Sequence, residues 1–240
     1  MIAVVRELRA FLTASLVSPV EAAVPVEPAA LRRRRVVVAA TLALGAAALG
    51  LALAIEPGDP LFYGATLGVA ALWTGGALAS GPLDLGQGVT RSGGRSRGGL
   101  QGFLLGAILL AIFVAGALVV ARIPLLAGPV EGLLAHARHG SLGVVAAVTA
   151  VNGIAEELFF RGAVYAAFDR RARLVGSTAL YAASTLFTGV PLLTFAAVCL
   201  GLLTAAQRRV TGGVLGPMAA HLTWSLGMLF LLPPILTLGG

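Results

Sequence analysis

Long apolar runs, each about the length of a membrane crossing, dominate this chain and restrict what it can fold into. In hydrocarbon, every backbone N–H and C=O group must be hydrogen-bonded within the protein, so only helices and closed barrels span a bilayer. The chain has 58% hydrophobic and 11% charged residues, which lies outside the range of soluble domains. The sequence therefore predicts an all-α fold, a polytopic transmembrane helix bundle in the cell (inner or plasma) membrane.

Seven spans are predicted, because about twenty apolar residues are needed to cross a 30 Å core. The fifth and sixth are short and meet around Pro191. Three parts follow: an N-terminal cytoplasmic segment (1–35), three N-terminal transmembrane helices (36–121) and a helical core (141–240). The predicted spans cover residues 36–55, 61–80, 100–121, 141–168, 174–190, 192–206 and 214–232.

The basic residues are all arginines, and they cluster at the ends of apolar runs. This pattern indicates membrane topology rather than a nucleic-acid-binding stripe, so membrane lipids are expected as partners and nucleic acid is not. The positive-inside bias places every cluster on the cytoplasmic side, which puts the N-terminus inside and the C-terminus outside. The clusters are Arg6, Arg9 and 32–35; Arg91, Arg95 and Arg97; Arg170, Arg171 and Arg173; and Arg208 and Arg209.

The segments outside the spans carry weaker signals. Residues 1–20 lack a long apolar core and a small-residue cleavage site, so an interfacial amphipathic helix is expected rather than a cleaved signal peptide. The Gly-, Ser- and Arg-rich segment 81–99 is expected to be a flexible basic loop near anionic headgroups. The single cysteine, Cys199, excludes an intrachain disulfide framework and a cysteine-rich metal site.

One hexapeptide, Glu-Glu-Leu-Phe-Phe-Arg at 156–161, places three charges inside the apolar stretch 143–168. Ionisable groups in hydrocarbon are costly, so they indicate a functional site that faces the protein interior or a water-filled cavity. Glu157 and Arg161 are four residues apart and share a helix face, which favours an ion pair. Glu156 is left without that partner and could act as a general base toward a water. The alternative is that all three charges form an interhelix ionic lock.

His221 is the only histidine within a predicted span. Counting from the cytoplasmic ends of their helices, Glu156 lies roughly 18 Å deep and His221 roughly 13 Å deep, at 1.5 Å per residue. The two side chains are therefore predicted to meet at similar depth. Ser225 lies one turn beyond His221 on the same helix face. A histidine with a purely structural role is the alternative.

This arrangement resembles a known family. Glu-Glu-x-x-x-Arg on a long transmembrane helix, followed some sixty residues later by a histidine helix, is similar to the CPBP family of CAAX proteases and bacteriocin-processing enzymes. That family is also called Abi and contains the type II CAAX prenyl endopeptidases. The resemblance covers residues 141–232 and implies an intramembrane endopeptidase whose first glutamate activates the hydrolytic water, whether glutamate-dependent or metal-dependent. The matching positions are Glu156, Glu157, Arg161 and His221.

Two positions depart from the family pattern. The second motif is an aromatic residue followed four residues later by histidine, and the best match is Tyr181 with Thr185 in the histidine position. In the last motif, His-x-x-x-Asn or Asp, the final position is Ser225. A threonine can hydrogen-bond but cannot supply an imidazole base or ligand. No cofactor is expected; zinc is not excluded, with Glu156 and His221 as the candidate ligands.

Three functional hypotheses remain open. In the first, the protein is an intramembrane endopeptidase in which Glu156 is the base, His221 and Ser225 bind the scissile carbonyl oxygen, and Thr185 orients the water. In the second, it is a degenerate CPBP-fold pseudoenzyme that serves as a binding or assembly subunit of a membrane complex. In the third, it is a small transporter with a proton-relaying glutamate. The sequence does not identify the peptide or membrane-protein partner, and its composition suggests a high-GC bacterial genome.

Overall fold

The computed structural model describes residues 2–18, 27–89, 94–139 and 141–237. Within these ranges the regular secondary structure is helical apart from a two-residue antiparallel pairing of β1 (Gly88–Val89) with β2 (Arg95–Ser96). Six of the described helices are long and apolar enough to cross a membrane, which confirms the predicted polytopic all-α bundle. They are α2 (Pro28–Leu53), α3 (Leu61–Ser80), α4 (Gly99–Val120), the helical run Leu142–Ala167, α9 (Pro191–Thr211) and α10 (Leu215–Thr237, of which Leu215–Leu236 is the candidate span).

The run Leu142–Ala167 contains the charged hexapeptide and changes its helical type there. It begins as α6 (Leu142–Glu156), continues as a π-helix (Glu157–Val164) and ends with a short turn, α7 (Tyr165–Ala167). At the end of the π-helix, the Tyr165 amide donates to the carbonyl of Phe160, five residues back. The backbone carbonyl of Arg161, within the π-helix, accepts a hydrogen bond of 2.9 Å from the side-chain Nε of Arg208. π-Helical segments are rare and occur frequently at functional sites.

The fifth predicted span, 174–190, is shorter in the structure than in the prediction. Helix α8 (Arg173–Thr185) has 13 residues and is followed by the 3₁₀ turn Leu186–Thr188. It ends at Gly189, whose φ of +70° is left-handed, and α9 starts two residues later at Pro191. The apolar run alone could not reveal this early stop. Helices α8 and α9 pack antiparallel, so α9 returns the chain to the end of the bundle where α8 begins.

Two further helices lie outside the spans. Helix α1 (Ile2–Leu16) forms where an amphipathic helix was predicted and contacts α9, with Nη2 of Arg209 donating to the carbonyl of Leu16. Its placement at the membrane interface stays a prediction. Helix α5 (Pro124–Arg138) occupies a connection for which no helix was predicted. Of the basic loop 81–99, residues 90–93 lie outside the described residues.

Arginines from three of the predicted clusters meet at one end of the bundle: Arg33, Arg34 and Arg35, Arg173, and Arg208. Several of them donate to carbonyl groups at the C-terminal ends of helices, which lack intrahelical partners. Arg33 and Arg34 donate to the carbonyls of Ala79 and Ser80 at the end of α3, and Arg35 donates to that of Ala167 at the end of α7. The arginines therefore cap helices as well as indicating topology. Which side of the membrane they face stays a prediction.

Close packing of α4 on α10 fixes the position of the histidine helix. A Cβ atom at Gly102 would collide with the backbone carbonyl of Gly216, and one at Gly106 would collide with that of Ala220. Glycines spaced four residues apart let two helix backbones approach closely in this way. Ala220 directly precedes His221, so this contact sets the depth and rotation of the histidine.

An aromatic cluster holds the hexapeptide helix from its other side. Trp73 of α3 stacks on Phe159 at a ring-centroid distance of 4.7 Å and packs on Phe160 at 5.2 Å. Phe160 in turn packs on Tyr181 of α8 at 4.8 Å. These rings are buried. They fix the helix on which Glu156, Glu157 and Arg161 lie, and they bring Tyr181 toward the two acids.

Candidate functional site

Glu157 lies at the centre of a buried charge cluster. Its Oε1 atom is 3.1 Å from Nη1 of Arg161 and 2.8 Å from Nδ1 of His221. The side chains of Glu157 and Arg161 are 0% and 1% exposed, and that of His221 is 6% exposed. The contact with Arg161 is electrostatic, because neither Nη1 nor Nη2 of Arg161 has a hydrogen-bond partner among the described residues. The predicted Glu157–Arg161 pair is therefore present, and His221 joins it.

Glu156 faces a different set of groups. Its Oε2 atom accepts a hydrogen bond of 2.7 Å from the hydroxyl of Tyr181 and lies 3.9 Å from Nε2 of His221. The side chain of Glu156 is 20% exposed, whereas Glu157 is fully buried. The partner that Glu156 lacks on its own helix thus comes from α8. The predicted meeting of Glu156 and His221 at one depth is also present.

The contacts among these groups close into a ring. Arg161 contacts Glu157, Glu157 contacts His221, His221 faces Glu156, and Glu156 accepts from Tyr181. The guanidinium carbon of Arg161 then lies 4.5 Å from the centre of the Tyr181 ring, within cation–π range. A carboxylate can only accept hydrogen bonds, so Nδ1 of His221 carries the proton shared with Glu157. Nε2 is left facing Glu156.

A cavity of about 80 Å³ opens beside Glu156 in the middle of the bundle. Its polar lining comes from Glu156, Tyr181, Ser184, Thr185 and Trp224, and the rest is apolar. A water molecule occupies about 30 Å³ in the liquid, so the cavity has room for two or three waters next to the carboxylate. Neither Glu157 nor Arg161 lines this cavity. The two glutamates therefore have different surroundings: one is enclosed by charge partners and the other borders an open space.

Thr185 and Ser225, the two departures from the family pattern, behave differently. Thr185 lines the cavity, but its hydroxyl donates to the carbonyl of Ala182 at 2.7 Å and is 3.0 Å from the hydroxyl of Thr194. Its hydrogen-bonding capacity is thus used within the bundle. The hydroxyl of Ser225 is buried and has no hydrogen-bond partner among the described residues. It follows His221 on α10 and does not line the cavity.

Further buried polar atoms at the site lack partners. Oε2 of Glu157 and the indole Nε1 of Trp224 have no hydrogen bond among the described residues. Buried polar groups are normally hydrogen-bonded, and orphaned ones indicate a water, a ligand or a functional role. Trp224 also lines the cavity and meets Phe113 edge-on at 5.3 Å. The site therefore has an acceptor on Glu157 and a donor on Trp224 that no described residue uses.

The residues present do not fit a resident zinc ion. Catalytic zinc sites use three protein ligands and leave a fourth position for water. Here Oε1 of Glu157 is already taken by Arg161 and His221, and position 185 offers a hydroxyl in place of an imidazole. Glu156 and Nε2 of His221 remain as a pair of ligand groups that face each other, whereas Glu157, whose Oε2 atom has no partner among the described residues, does not line the cavity. Across the described residues, no group of three His, Cys, Asp or Glu side chains is arranged to hold a metal.

Tyr181 and Trp224 join the site without having been assigned a role from the sequence. Tyr181 occupies the aromatic position of the second motif, and its hydroxyl distinguishes it from a purely apolar residue. In the sequence, Glu156 has no ion-pair partner on its own helix, and this could have pointed to a hydroxyl donor such as Tyr181 on another helix. Trp224 lies three residues after His221, a spacing that places it beside His221 on the helix, as the spacing of four places Ser225. This spacing was the signal that could have found it.

The site and fold define a membrane-embedded helix bundle that contains a paired-glutamate, arginine and histidine centre. Comparison with family models agrees with this class: residues 138–227 match the type II CAAX prenyl endopeptidase Rce1-like family. The match covers the hexapeptide helix, α8, α9 and most of α10, and it supports assignment of this part of the chain to the CPBP family. No curated protein and no solved structure was found to match the chain.

Proposed function

We propose that this protein is an intramembrane endopeptidase in which Glu156 activates a water molecule. The observation that carries the proposal is the position of Glu156, which borders an 80 Å³ cavity inside the bundle and is fixed by Tyr181. A catalytic carboxylate needs a water within reach and an orientation that does not change during proton transfer. The CPBP-like match of residues 138–227 supports the same reaction class.

The charge balance of the site supports a role for His221 in binding the carbonyl oxygen of the scissile peptide bond. With the imidazole protonated on both nitrogens, Glu156, Glu157, Arg161 and His221 sum to zero charge in an apolar interior. Nδ1–H then donates to Glu157, and Nε2–H is available to the carbonyl oxygen of a scissile peptide bond. Ser225, one turn further on α10, has a hydroxyl without a partner among the described residues; it does not line the cavity, and we assign it to the same oxygen when a substrate is bound. Such donors stabilise the negative charge that develops on that oxygen in the transition state.

The reaction then follows from these positions. Glu156 takes a proton from a water in the cavity, and the resulting hydroxide attacks the scissile carbonyl carbon. The tetrahedral oxyanion is held by Nε2–H of His221, and the proton on Glu156 passes to the leaving nitrogen as the C–N bond breaks. Arg161 pairs with Glu157, and Glu157 orients the imidazole. Protein groups and water suffice for every step.

A direct test is cleavage by the purified protein in liposomes of a library of hydrophobic peptides, carried out in ¹⁸O-labelled water. We expect products that carry one ¹⁸O atom in the new carboxylate, because water is the nucleophile. A chelator should leave the rate unchanged, since the donor set does not fit zinc. Absence of any cleavage across the library, or loss of all cleavage with the chelator, would contradict the proposal.

Substituting Tyr181 by phenylalanine tests how Glu156 is held. We expect kcat to fall about 10- to 100-fold with little change in KM, because a hydrogen bond to a charged group contributes about 1.5–3 kcal/mol. The hydroxyl contacts Glu156 rather than the substrate, so binding should be spared. Tyr63→Phe, on α3 and outside the cavity lining, is the matched control and should behave as wild type. An unchanged kcat for Tyr181→Phe would show that the contact has no catalytic role.

One observation favours the alternative, a catalytically degenerate binding or assembly subunit. Thr185 has no imidazole, and its hydroxyl is used within the bundle rather than on Glu156. On this alternative, the charge ring acts only as an interhelix lock and the protein is recovered from native membranes with a stoichiometric partner. Restoring the family residue with Thr185→His separates the two: turnover that rises in this variant from a silent wild type identifies a decayed protease.

A further inference from the structure

A second polar centre lies at the arginine-rich end of the bundle, away from the hexapeptide. Two guanidinium groups lie against Tyr165, from Arg173 of α8 and Arg208 of α9, and Arg34 of α2 lies near both of them. The guanidinium carbons of Arg208 and Arg173 lie 5.4 and 5.9 Å from the centre of the Tyr165 ring. Arg34 interacts electrostatically with both arginines. We call these four residues the Tyr165 cluster.

The cluster has fewer negative charges than positive ones. Its acidic neighbour is Asp84, whose Oδ2 lies 3.6 Å from Nη2 of Arg208 and whose side chain is 77% exposed. Asp169, the next acid in this region, pairs with Arg35 at 3.1 Å. Three arginines therefore face one solvated aspartate. Like charges brought together in partly buried surroundings repel, and a bound anion relieves that repulsion.

Helix capping accounts for only part of this arrangement. Each of the three arginines donates a hydrogen bond from its Nε atom to a backbone carbonyl. Arg34 donates to Ser80, Arg173 to Phe168 and Arg208 to Arg161. Nη2 of Arg34 also donates to the carbonyl of Pro82. The Nη groups of Arg173 have no such partner among the described residues, and Arg173 is half-buried. Nη donors without a protein partner, on a guanidinium that is held through its Nε atom, suit the oxygens of a phosphate group.

The depth of the cluster fits the headgroup region of a bilayer. Tyr165 lies two residues from the end of the span Leu142–Ala167, and Arg208 three residues from the end of Pro191–Thr211. At 1.5 Å per residue, both are roughly 3–5 Å inside the helix ends. Basic pockets between transmembrane helices at this level bind lipid phosphates. The buried Arg34 and Arg208 are fixed before any ligand arrives, which favours binding.

We propose that the Tyr165 cluster is a binding site for an anionic phosphate group, contacted by Arg173 and Arg208 over the Tyr165 ring and supported by Arg34. The group is a phosphodiester of a lipid or a free phosphate, since the recognition chemistry is the same. The site is separate from Glu156 and does not depend on peptidase activity. It stabilises the end of the bundle where α7, α8 and α9 meet.

The test is native mass spectrometry of the delipidated protein in neutral detergent with added phosphatidylglycerol, phosphatidylcholine or inorganic phosphate. We expect wild type to retain phosphatidylglycerol in preference to phosphatidylcholine. Arg173→Gln should weaken retention about fivefold, because each arginine near a headgroup contributes about that factor. Arg122→Gln makes the same change of charge at an exposed position just after the C-terminal end of α4, and it should leave retention of phosphatidylglycerol unchanged.

The two sources are distinguished by competition. Millimolar phosphate that displaces phosphatidylglycerol from wild type identifies free phosphate as a ligand of the site, whereas phosphatidylglycerol that persists identifies the lipid. Equal retention by Arg173→Gln and Arg122→Gln, or equal retention of both lipids by wild type, would overturn the proposal. Thermal unfolding of each variant without lipid checks that the comparison is made between folded proteins. Arg173 is half-buried and Arg208 is buried, so Arg173→Gln is less disruptive to the fold and is the first variant. Arg208→Gln is the second.

Discussion

Replacing Glu156 with glutamine is expected to lower peptidase turnover by about 10²–10⁴-fold, the range that a general base contributes. The amide keeps the size of the side chain and can still accept the hydrogen bond from Tyr181. It cannot take a proton from water, so the reaction loses its base while the site keeps its shape. The measurement is kcat in liposomes for any peptide that the wild type cleaves.

The unfolding temperature of the variant is the control, because lost activity is informative only if the variant is folded. Glu156→Gln should unfold at the wild-type temperature, because the carboxylate borders a cavity and is 20% exposed. Glu131→Gln, on the exposed surface of α5, makes the same chemical change outside the site and should keep full activity. Cleavage by Glu156→Gln at the wild-type rate would exclude Glu156 as the base, whatever the fold.

The same substitution at the neighbouring residue is expected to act on stability instead. Glu157→Gln should lower the free energy of unfolding by about 3–5 kcal/mol, the cost of leaving a buried charge unpaired. Arg161 is 1% exposed and has Glu157 as its ion-pair partner. His221 would also lose the carboxylate that orients its Nδ1 atom. The midpoint of unfolding in mixed detergent micelles measures the loss.

A double substitution separates loss of the pair from loss of packing. Glu157→Gln combined with Arg161→Gln removes both charges, so the double variant should be less destabilised than the sum of the two single variants. Glu131→Gln serves again as the control and should not change the midpoint. An unchanged midpoint for Glu157→Gln would remove both the ionic lock and the orienting role of this residue.

The sequence predicted the bundle and much of the central site because both depend on strong local patterns. Apolar runs of membrane length have few other interpretations, and six of the seven predicted spans correspond to helices long enough to cross; the exception is 174–190. Helical depth, counted at a fixed rise per residue, brought Glu156 and His221 together correctly. The ion pair of Glu157 with Arg161 also follows from spacing alone, since residues four apart meet on a helix.

What the sequence did not predict depends on contacts between helices. The hydroxyl of Tyr181 reaches Glu156 only because Phe160 and Trp73 fix the two helices against each other. The early end of α8 depends on a left-handed glycine, and an apolar run conceals it. The π-helix from Glu157 to Val164 changes the rotation per residue. A wheel drawn at 3.6 residues per turn therefore becomes less accurate along this segment, although the contact of Glu157 with Arg161 is kept.

The cavity beside Glu156 also sets a physical limit on how the proposed protease works. Its volume of about 80 Å³ holds a few waters and is too small for an extended peptide. A substrate can therefore reach Glu156 only after neighbouring helices have moved apart. Helix motions of this kind take microseconds to milliseconds and often limit turnover. Because these helices lie among lipids, we expect the rate of that motion, and with it the turnover number, to depend on the lipid composition of the bilayer.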